Sequence, residues 1–384
     1  MASYSERRRT FQGLLEGAAD LAFIPLTTDL DYLAGVRRDI PHFGRILHPG
    51  GWLEGAWFGV HGERPILTLP RMSAELDNRA QGNEGLDVRV LGERDDPAQL
   101  ARAILDELRL PPAPRVAVSD DTEATALIEL QKLLPDARFV SATGILRKLR
   151  TIKDADELAL MRAAGKLTED ALHAALPQFR LAMTELDVIA ELDYQMKRLG
   201  SLGPSFTTTL YCSGPNHPRL PGQRLASWKR ALTPPVSVLL DFGAVGDGPV
   251  YDYGRTVSFG SPSAEQVRVH RVIMESQAAG IAALRAGNAT CEMVDKAARD
   301  VVEAAGYGET FRHRLGHSIG WDVHEPPFLT RGDQTNLQEG MVFTIEPSIV
   351  QDRNFSARVE DCIIARPAGG EPMTTGFQDL LVVE

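Results

Sequence analysis

Four acidic side chains stand where half-buried strands ordinarily carry apolar ones, and this constrains the chain more than any other feature. Asp241 ends the run VSVLL, and Asp252 lies in PVYDYGRTV, 252 − 241 = 11 residues further on. The GDG-type turn between them suits a hairpin. Glu346 interrupts MVFTIEPSI, and Glu360 interrupts ARVEDCII. A buried carboxylate is costly unless it is paired or bound to a cation. One such residue can be a satisfied core acid, but four on separate strands in one half of a chain call for cations. His317, inside the glycine-flanked LGHSIG, adds an imidazole nitrogen. Oxygen-rich donors with one imidazole suit Mn²⁺, Co²⁺ or Zn²⁺ rather than a thiolate-seeking ion. Four carboxylates balance the charge of two divalent ions. A water shared by two such ions ionises near neutral pH and can attack an amide carbonyl.

The 384 residues are more than one typical core accommodates, so two domains are expected. The formal net charge of −11 repels phosphate backbones and anionic lipid, so neither nucleic acid nor a membrane is an expected partner. Cys212, Cys291 and Cys362 are scattered and form no CxxC pair, which argues against a disulfide framework or a thiolate zinc site. The basic start MASYSERRRTF leads into no apolar segment of signal-peptide type, and no run approaches the roughly 18 apolar residues of a membrane helix. A soluble, cytoplasmic protein is expected.

Up to about residue 145, strand and helix patterns alternate. Runs at 19–26, 56–60, 66–70, 88–92, 115–119 and 138–142 read as short strands, and 97–108 and 122–134 as amphipathic helices. This predicts an α/β domain over 1–148. Residues 37–55, rich in Pro, Gly and aromatics, read as a long loop of the kind that often binds or caps; His42, His48 and Trp52 could form a lid over a site, but decoration of a surface loop is the favoured reading of the three. After a charged connection, 149–384 reads as an α+β domain. Its helices include 184–200, opened by a Thr184–Asp187 capping pattern, and two that start near Ser263 and Thr290 and end at Gly287 and Gly306. Strands are expected at 205–212, 236–245, 249–259, 341–350 and 357–366.

The segments LLDFGA, VYDYGRTV, GHSIGWDVHEPP, TIEPS and RVEDCI, in this order and spacing over about 230 residues, resemble the metal-site motifs of the pita-bread metallopeptidases. The α/β half resembles the N-terminal domain of the creatinase, prolidase and aminopeptidase P branch. The resemblance implies a pita-bread catalytic domain that holds two divalent cations, Mn²⁺ ahead of Co²⁺ or Zn²⁺. Asp241 and Asp252 would bind one ion, Asp252 and Glu360 would bridge both, and His317 and Glu346 would hold the second. Glu346 would be general base on the bridging water. His324, in DVHEPP, matches a histidine that contacts substrate near the scissile amide. Arg358, two residues before Glu360 and so on the same strand face, either orients Glu360 or binds a substrate carboxylate.

Two places depart from the family pattern. Asp252-Tyr253-Gly254-Arg255 stands where Asp-x-Thr-Arg is usual, so a supporting hydroxyl is missing. In SGPNHPRLPG, the histidine usual five residues after the asparagine is Pro221, and His217 is the candidate to contact substrate in its place. His313 is expected to be a solvated or supporting residue, and Tyr251 and Trp321 core or pocket wall. The implied activity is cleavage of the bond before proline in dipeptides or short peptides, by a homodimer whose N-terminal domains cap the partner's site. Two alternatives stay open. One is metal-dependent hydrolysis of a non-peptide amide, and the other a non-catalytic binding relative, although such relatives tend to lose ligands that are all present here.

Overall fold

The short apolar runs of the first 150 residues form one mixed sheet. The computed structural model describes residues 4–37, 50–60, 64–75 and 85–384, which divide into two compact units, Met1–Arg150 and Thr151–Glu384. In the first unit the strands are β1 (Leu21–Pro25), β2 (Gly55–Gly59), β3 (Ile66–Pro70), β4 (Asp87–Leu91), β5 (Arg115–Val118) and β6 (Arg138–Ser141). They lie in the order β4-β3-β2-β1-β5-β6, with β1 antiparallel to β2 and parallel to β5. Phe23, Trp57 and Val116 from the sheet pack with Ile104 and Leu130 from the helices, each burial stabilising by roughly 1.5–3 kcal/mol. The Trp57 indole N–H is satisfied by Thr68 Oγ1 at 2.7 Å. Helix Pro97–Leu108 starts where Asp96 accepts from the Ala98 amide and proline takes the first turn.

Of the loop expected at 37–55, residues 38–49, and with them His42 and His48, lie outside the described residues. Trp52 sits in a single 3-10 turn and packs against the core of this unit, which is a structural use of its ring.

The second unit carries strands β7 (Thr209–Ser213), β8 (Val236–Phe242), β9 (Tyr253–Phe259), β10 (Gly316–Ser318), β11 (Glu325–Leu329) and β12 (Val342–Ile345). They continue as β13 (Ser348–Ile349), β14 (Ala357–Arg358), β15 (Asp361–Ile364), β16 (Glu371–Pro372) and β17 (Leu381–Val383). One sheet runs β17-β9-β8-β7, a second runs β11-β10-β12-β15-β16, and β13 pairs only with β14. Helices Ala264–Ala283 and Cys291–Ala304 bury Val269, Ile273, Val294 and Ala298 against Leu315, Phe343, Ile345 and Ile363. The Thr184–Asp187 capping box forms as read. The helix expected to reach Gly287 stops at Ala283, and Gly287 instead turns the chain at φ +79°.

Two strands read as continuous are broken. The run 341–350 splits into β12 and β13 around Glu346, and 357–366 splits into β14 and β15 around Glu360. β12 and β15 are neighbours in one sheet whereas β13 and β14 form another, so each chain changes partner at its carboxylate. The strand expected from 205 starts only at Thr209, because Ser205 bonds the Tyr251 carbonyl (2.7 Å) and the Gly243 carbonyl (2.9 Å) instead of joining a ladder. The three cysteines are buried free thiols. Among the described residues, no helix is long and apolar enough to cross a membrane.

Candidate metal centre

The breaks in the ladders point acids into one place. Asp241 is on β8 opposite Gly254 of β9, and Asp252 immediately precedes β9. Gly254 in turn exchanges backbone hydrogen bonds with Glu360, at 3.1 Å and 2.9 Å. A Cβ on Gly254 would lie 2.9 Å from the Glu360 Cβ, so glycine lets the two sheets meet at the site. Two hydroxyls support the cluster: Thr344 Oγ1 donates to Glu346 Oε1 at 3.3 Å, and Thr256 Oγ1 donates to the Arg358 carbonyl at 2.7 Å.

The five candidate donors fall into overlapping sets of three. Ligand atoms of Asp241, Asp252 and Glu360 lie within 4.8 Å of one another, as do those of His317, Glu346 and Glu360. Glu360 belongs to both sets, and a third set joins Asp252, His317 and His324. His317 Nε2 stands 3.6 Å from Asp252 Oδ2 and 3.5 Å from Glu346 Oε1. Its Nδ1 contacts the Ser318 carbonyl at 3.1 Å, which fixes the proton on Nδ1 and aims the Nε2 lone pair at the carboxylates. Burial lowers its pKa against the pull of Glu346.

The donor set fits divalent cations on two physical grounds. Asp252 Oδ1 and Glu360 Oε2 are fully buried and have no hydrogen-bond partner, a cost that an ion removes. Burial also drives the acids up, reinforced by like neighbours at Asp241, Glu346 and Glu360: Asp241 to about 6, Asp252 to about 7, Glu346 to about 7, and Glu360 well above its ordinary value. The folded, metal-free protein therefore holds protons that the unfolded chain releases near pH 4. At these acids the folded state binds more protons than the unfolded chain, so their contribution to stability falls as pH rises above about 4, whereas the lowered pKa values of His270, His313, His317 and His324 act the other way up to about pH 6.5. Above about pH 7, where only the acids still titrate, metal-free protein is expected to melt lower at pH 8 than at pH 7, and Mn²⁺ at pH 8 to restore it. Melting curves with and without chelator check this, and a metal-free protein more stable at pH 8 would contradict it.

Arg358 lies inside the cluster. Its Nη1 is 2.7 Å from Asp241 Oδ2, 3.8 Å from Glu346 and 4.0 Å from Glu360. Its chief partner is thus Asp241, not the Glu360 that strand spacing suggested. His324 packs against His317 with ring centroids 3.9 Å apart and planes tilted by 53°, and receives Arg314 Nη2 on Nδ1 at 3.3 Å. A guanidinium only donates, so the His324 proton sits on Nε2 and remains available. Partial burial with His317 and Arg314 beside it lowers its pKa to about 4, which keeps the ring neutral.

His217 is not among these donors. It is buried against Glu185, with Nε2 3.6 Å from Oε1 and no hydrogen bond on that nitrogen. His313 bonds Ser348 through Nε2 and the Arg314 carbonyl through Nδ1, a supporting position. Tyr251 and Trp321 are buried, with Tyr251 bonded to Thr374 and Trp321 to Glu157. Sequence reading overlooked Arg314 and Arg255. Arg255 is buried, donates to the Gly254 and Glu360 carbonyls (2.8 and 2.9 Å) and pairs with Asp361 at 2.8 Å, pinning the turn that presents Glu360. An arginine inside the apolar β9 run was the available signal.

Both parts of the chain match known protein families. Residues 159–367 match Metallopeptidase family M24, and residues 7–152 match the Creatinase/Prolidase N-terminal domain. A protein of Lactobacillus helveticus, named Xaa-Pro dipeptidase, is 30% identical over 97% of this chain and 97% of its own. A dipeptidase structure from Pyrococcus horikoshii superposes with a TM-score of 0.84 at 27% identity, covering 98% of this chain and all of that one. Dipeptidase PepE from Mycobacterium ulcerans gives 0.81 at 30% identity over 100% and 98%. The α/β domain and the pita-bread α+β domain after it agree with these matches: this chain belongs to metallopeptidase family M24, in its creatinase and prolidase branch.

Proposed function

We propose that the chain is an Xaa-Pro dipeptidase that works with two divalent cations, Mn²⁺ in preference to Co²⁺ or Zn²⁺. The observation that carries the reading is the convergence of Asp241, Asp252, His317, Glu346 and Glu360 with unpaired buried carboxylate oxygens. The relative from Lactobacillus helveticus, which spans nearly the whole chain, supports the substrate class. Asp241, Asp252 and Glu360 would hold one cation, and His317, Glu346 and Glu360 the other, with Asp252 beside both. The cations would supply an acidified water and a polarised carbonyl.

The protein's own groups do the rest. Glu346, which burial leaves ready to take a proton near neutral pH, accepts it from the attacking water and returns it to the leaving nitrogen. The bond before proline has a tertiary amide nitrogen without N–H, so no acceptor for that hydrogen is needed before protonation. His324, with its proton on Nε2, donates to the carbonyl oxygen as negative charge develops there. Arg358 keeps Asp241 ionised and oriented. The family resemblance extends the reading to a cytoplasmic homodimer acting on small peptides, without nucleic acid or membrane.

A specific observation favours a second reading, hydrolysis of a non-peptide amide: Pro221 replaces the usual histidine, and His217 turns to Glu185. Assay of Xaa-Pro, Xaa-Ala and Xaa-Pro-Xaa peptides and of small non-peptide amides with each metal separates the two. Xaa-Pro dipeptides are expected to lead, with Xaa-Ala following, since shape alone discriminates by about 1–3 kcal/mol per methylene-sized difference. Turnover of only the non-peptide amides would overturn the dipeptidase reading.

A further inference from the structure

Behind the acid cluster a second group of polar side chains is buried. Asp361 follows Glu360 directly, and consecutive side chains on a strand point to opposite faces, so Asp361 turns away from the donors. It is buried and belongs to none of the three donor sets. Its Oδ1 accepts from Arg255 Nη2 at 2.8 Å and from Thr374 Oγ1 at 2.7 Å, and its Oδ2 accepts from Gln277 Nε2 at 2.9 Å. The same Gln277 nitrogen, which carries two hydrogens, also reaches the Ile345 carbonyl at 3.3 Å. The Thr374 hydroxyl gives its proton to Asp361, so Tyr251 Oη, 2.8 Å away, donates to Thr374.

Three arms of this junction end beside a candidate cation donor. Asp361 is next to Glu360, Ile345 is next to Glu346, and Tyr251 is next to Asp252. Ile345 and Asp361 are also partners across β12 and β15, at the point where both chains cross between sheets. The ladder stops there, so side chains must supply the support that strand pairing no longer gives. Gln277 can do so because helix Ala264–Ala283 runs close to β12: a Cβ on Gly280, one turn further along, would lie 3.1 Å from Ile345 Cγ2. Asp361, Arg255, Gln277, Thr374 and Tyr251 are all buried, where each hydrogen bond is stronger than in water and a lost one is not replaced by solvent.

We propose that Asp361 and Gln277 are positioning residues: through the backbone at Tyr251, Ile345 and Glu360 they hold Asp252, Glu346 and Glu360 at the separation a pair of cations requires. The proposal rests on the two-cation reading and deepens it, because it assigns the fit of the pair to side chains outside the donor sets. Loss of the junction loosens the grip on the cations before it loosens the fold.

The test compares the full-length wild type with Gln277→Met, Thr374→Val and Thr374→Ser. Gln277→Met removes the donor at similar volume and leaves Asp361 Oδ2 and the Ile345 carbonyl without it. Calorimetric titration of metal-free protein with Mn²⁺ is expected to find two sites in the wild type, and the weaker one about 10–100-fold weaker in Gln277→Met, the usual effect of losing an outer partner of a metal ligand. Turnover of Ala-Pro should lose kcat at limiting Mn²⁺ and regain it at saturating Mn²⁺ with KM unchanged, a rescue that general damage to the fold would not show. Thr374→Val should weaken Mn²⁺ by a smaller factor, and Thr374→Ser, which keeps the hydroxyl, hardly at all. Where Gln277→Met does not fold, the two Thr374 variants carry the same comparison. A wild type that binds two cations, with Gln277→Met and Thr374→Val binding them equally well, overturns the proposal. Amide hydrogen exchange of the metal-free proteins reads the junction without any cation. Faster exchange confined to residues 250–254, 343–347 and 359–363 in the variants would support it even if the wild type took up no cation pair, an outcome that would count only against the two-cation reading. Unchanged exchange in those stretches would sink the junction whether or not cations bind.

Discussion

Glu360→Gln is expected to lower kcat/KM by at least about 10³-fold, well beyond the 10–100-fold cost of losing an outer partner of a metal ligand. Glu360 belongs to both three-donor sets, so a neutral amide there weakens both cation sites at once. It is 1% exposed, and its Oε2 has no hydrogen-bond partner, so the carboxylate does not hold the fold together through that oxygen. Its pKa is driven up by burial and by Asp252, Glu346 and Asp241, which means the charge is a burden on the metal-free protein. The amide should therefore leave metal-free stability at pH 8 equal to the wild type or higher, while elemental analysis finds fewer than two cations per chain. Asp252→Asn should behave in the same way, since Oδ1 is also buried and unpaired. A variant that keeps both cations and full activity would refute the two-site reading. One that unfolds without metal would show that the acid is structural.

His324→Ala should leave the cations bound and cost on the order of 10²–10³ in kcat, the effect of removing one hydrogen bond to a developing oxyanion. The expectation follows from the orientation of the ring. Arg314 occupies Nδ1 at 3.3 Å, which leaves Nε2–H outward beside His317. A neutral ring with pKa near 4 keeps donating across the working pH range, so the loss should be independent of pH between about 6 and 9. Arg314→Leu should reproduce a smaller part of the defect, because it frees the tautomer without removing the imidazole. If His324→Ala loses metal in proportion to activity, the residue is a ligand, as its place with Asp252 and His317 also permits.

The cluster proposed to hold the cations is legible in the amino-acid sequence because acids inside apolar runs violate a strong rule, and the violation is local. VSVLLDF and MVFTIEP can be recognised without knowing what they pack against. The amphipathic helices are legible for the same reason, as are the capped start at Thr184 and the mixed α/β first unit. Local signals do not carry the partner exchange at Glu346 and Glu360. Whether a β run stays in one ladder depends on which strand lies beside it, a pairing between residues such as Gly254 and Glu360 that are 360 − 254 = 106 positions apart.

The side-chain roles divide along the same line. Residue type and spacing alone determined which atoms could ligate a cation, because a carboxylate or imidazole carries that chemistry wherever it is placed. Only the tertiary structure decided how the charged and imidazole groups pair. Arg358 went to Asp241 and not to Glu360, His217 to Glu185, and Arg314 to His324. A long charged side chain reaches several ångströms in many directions, and its partner is chosen by burial and by what the fold has already neutralised, neither of which is written in the residues around it.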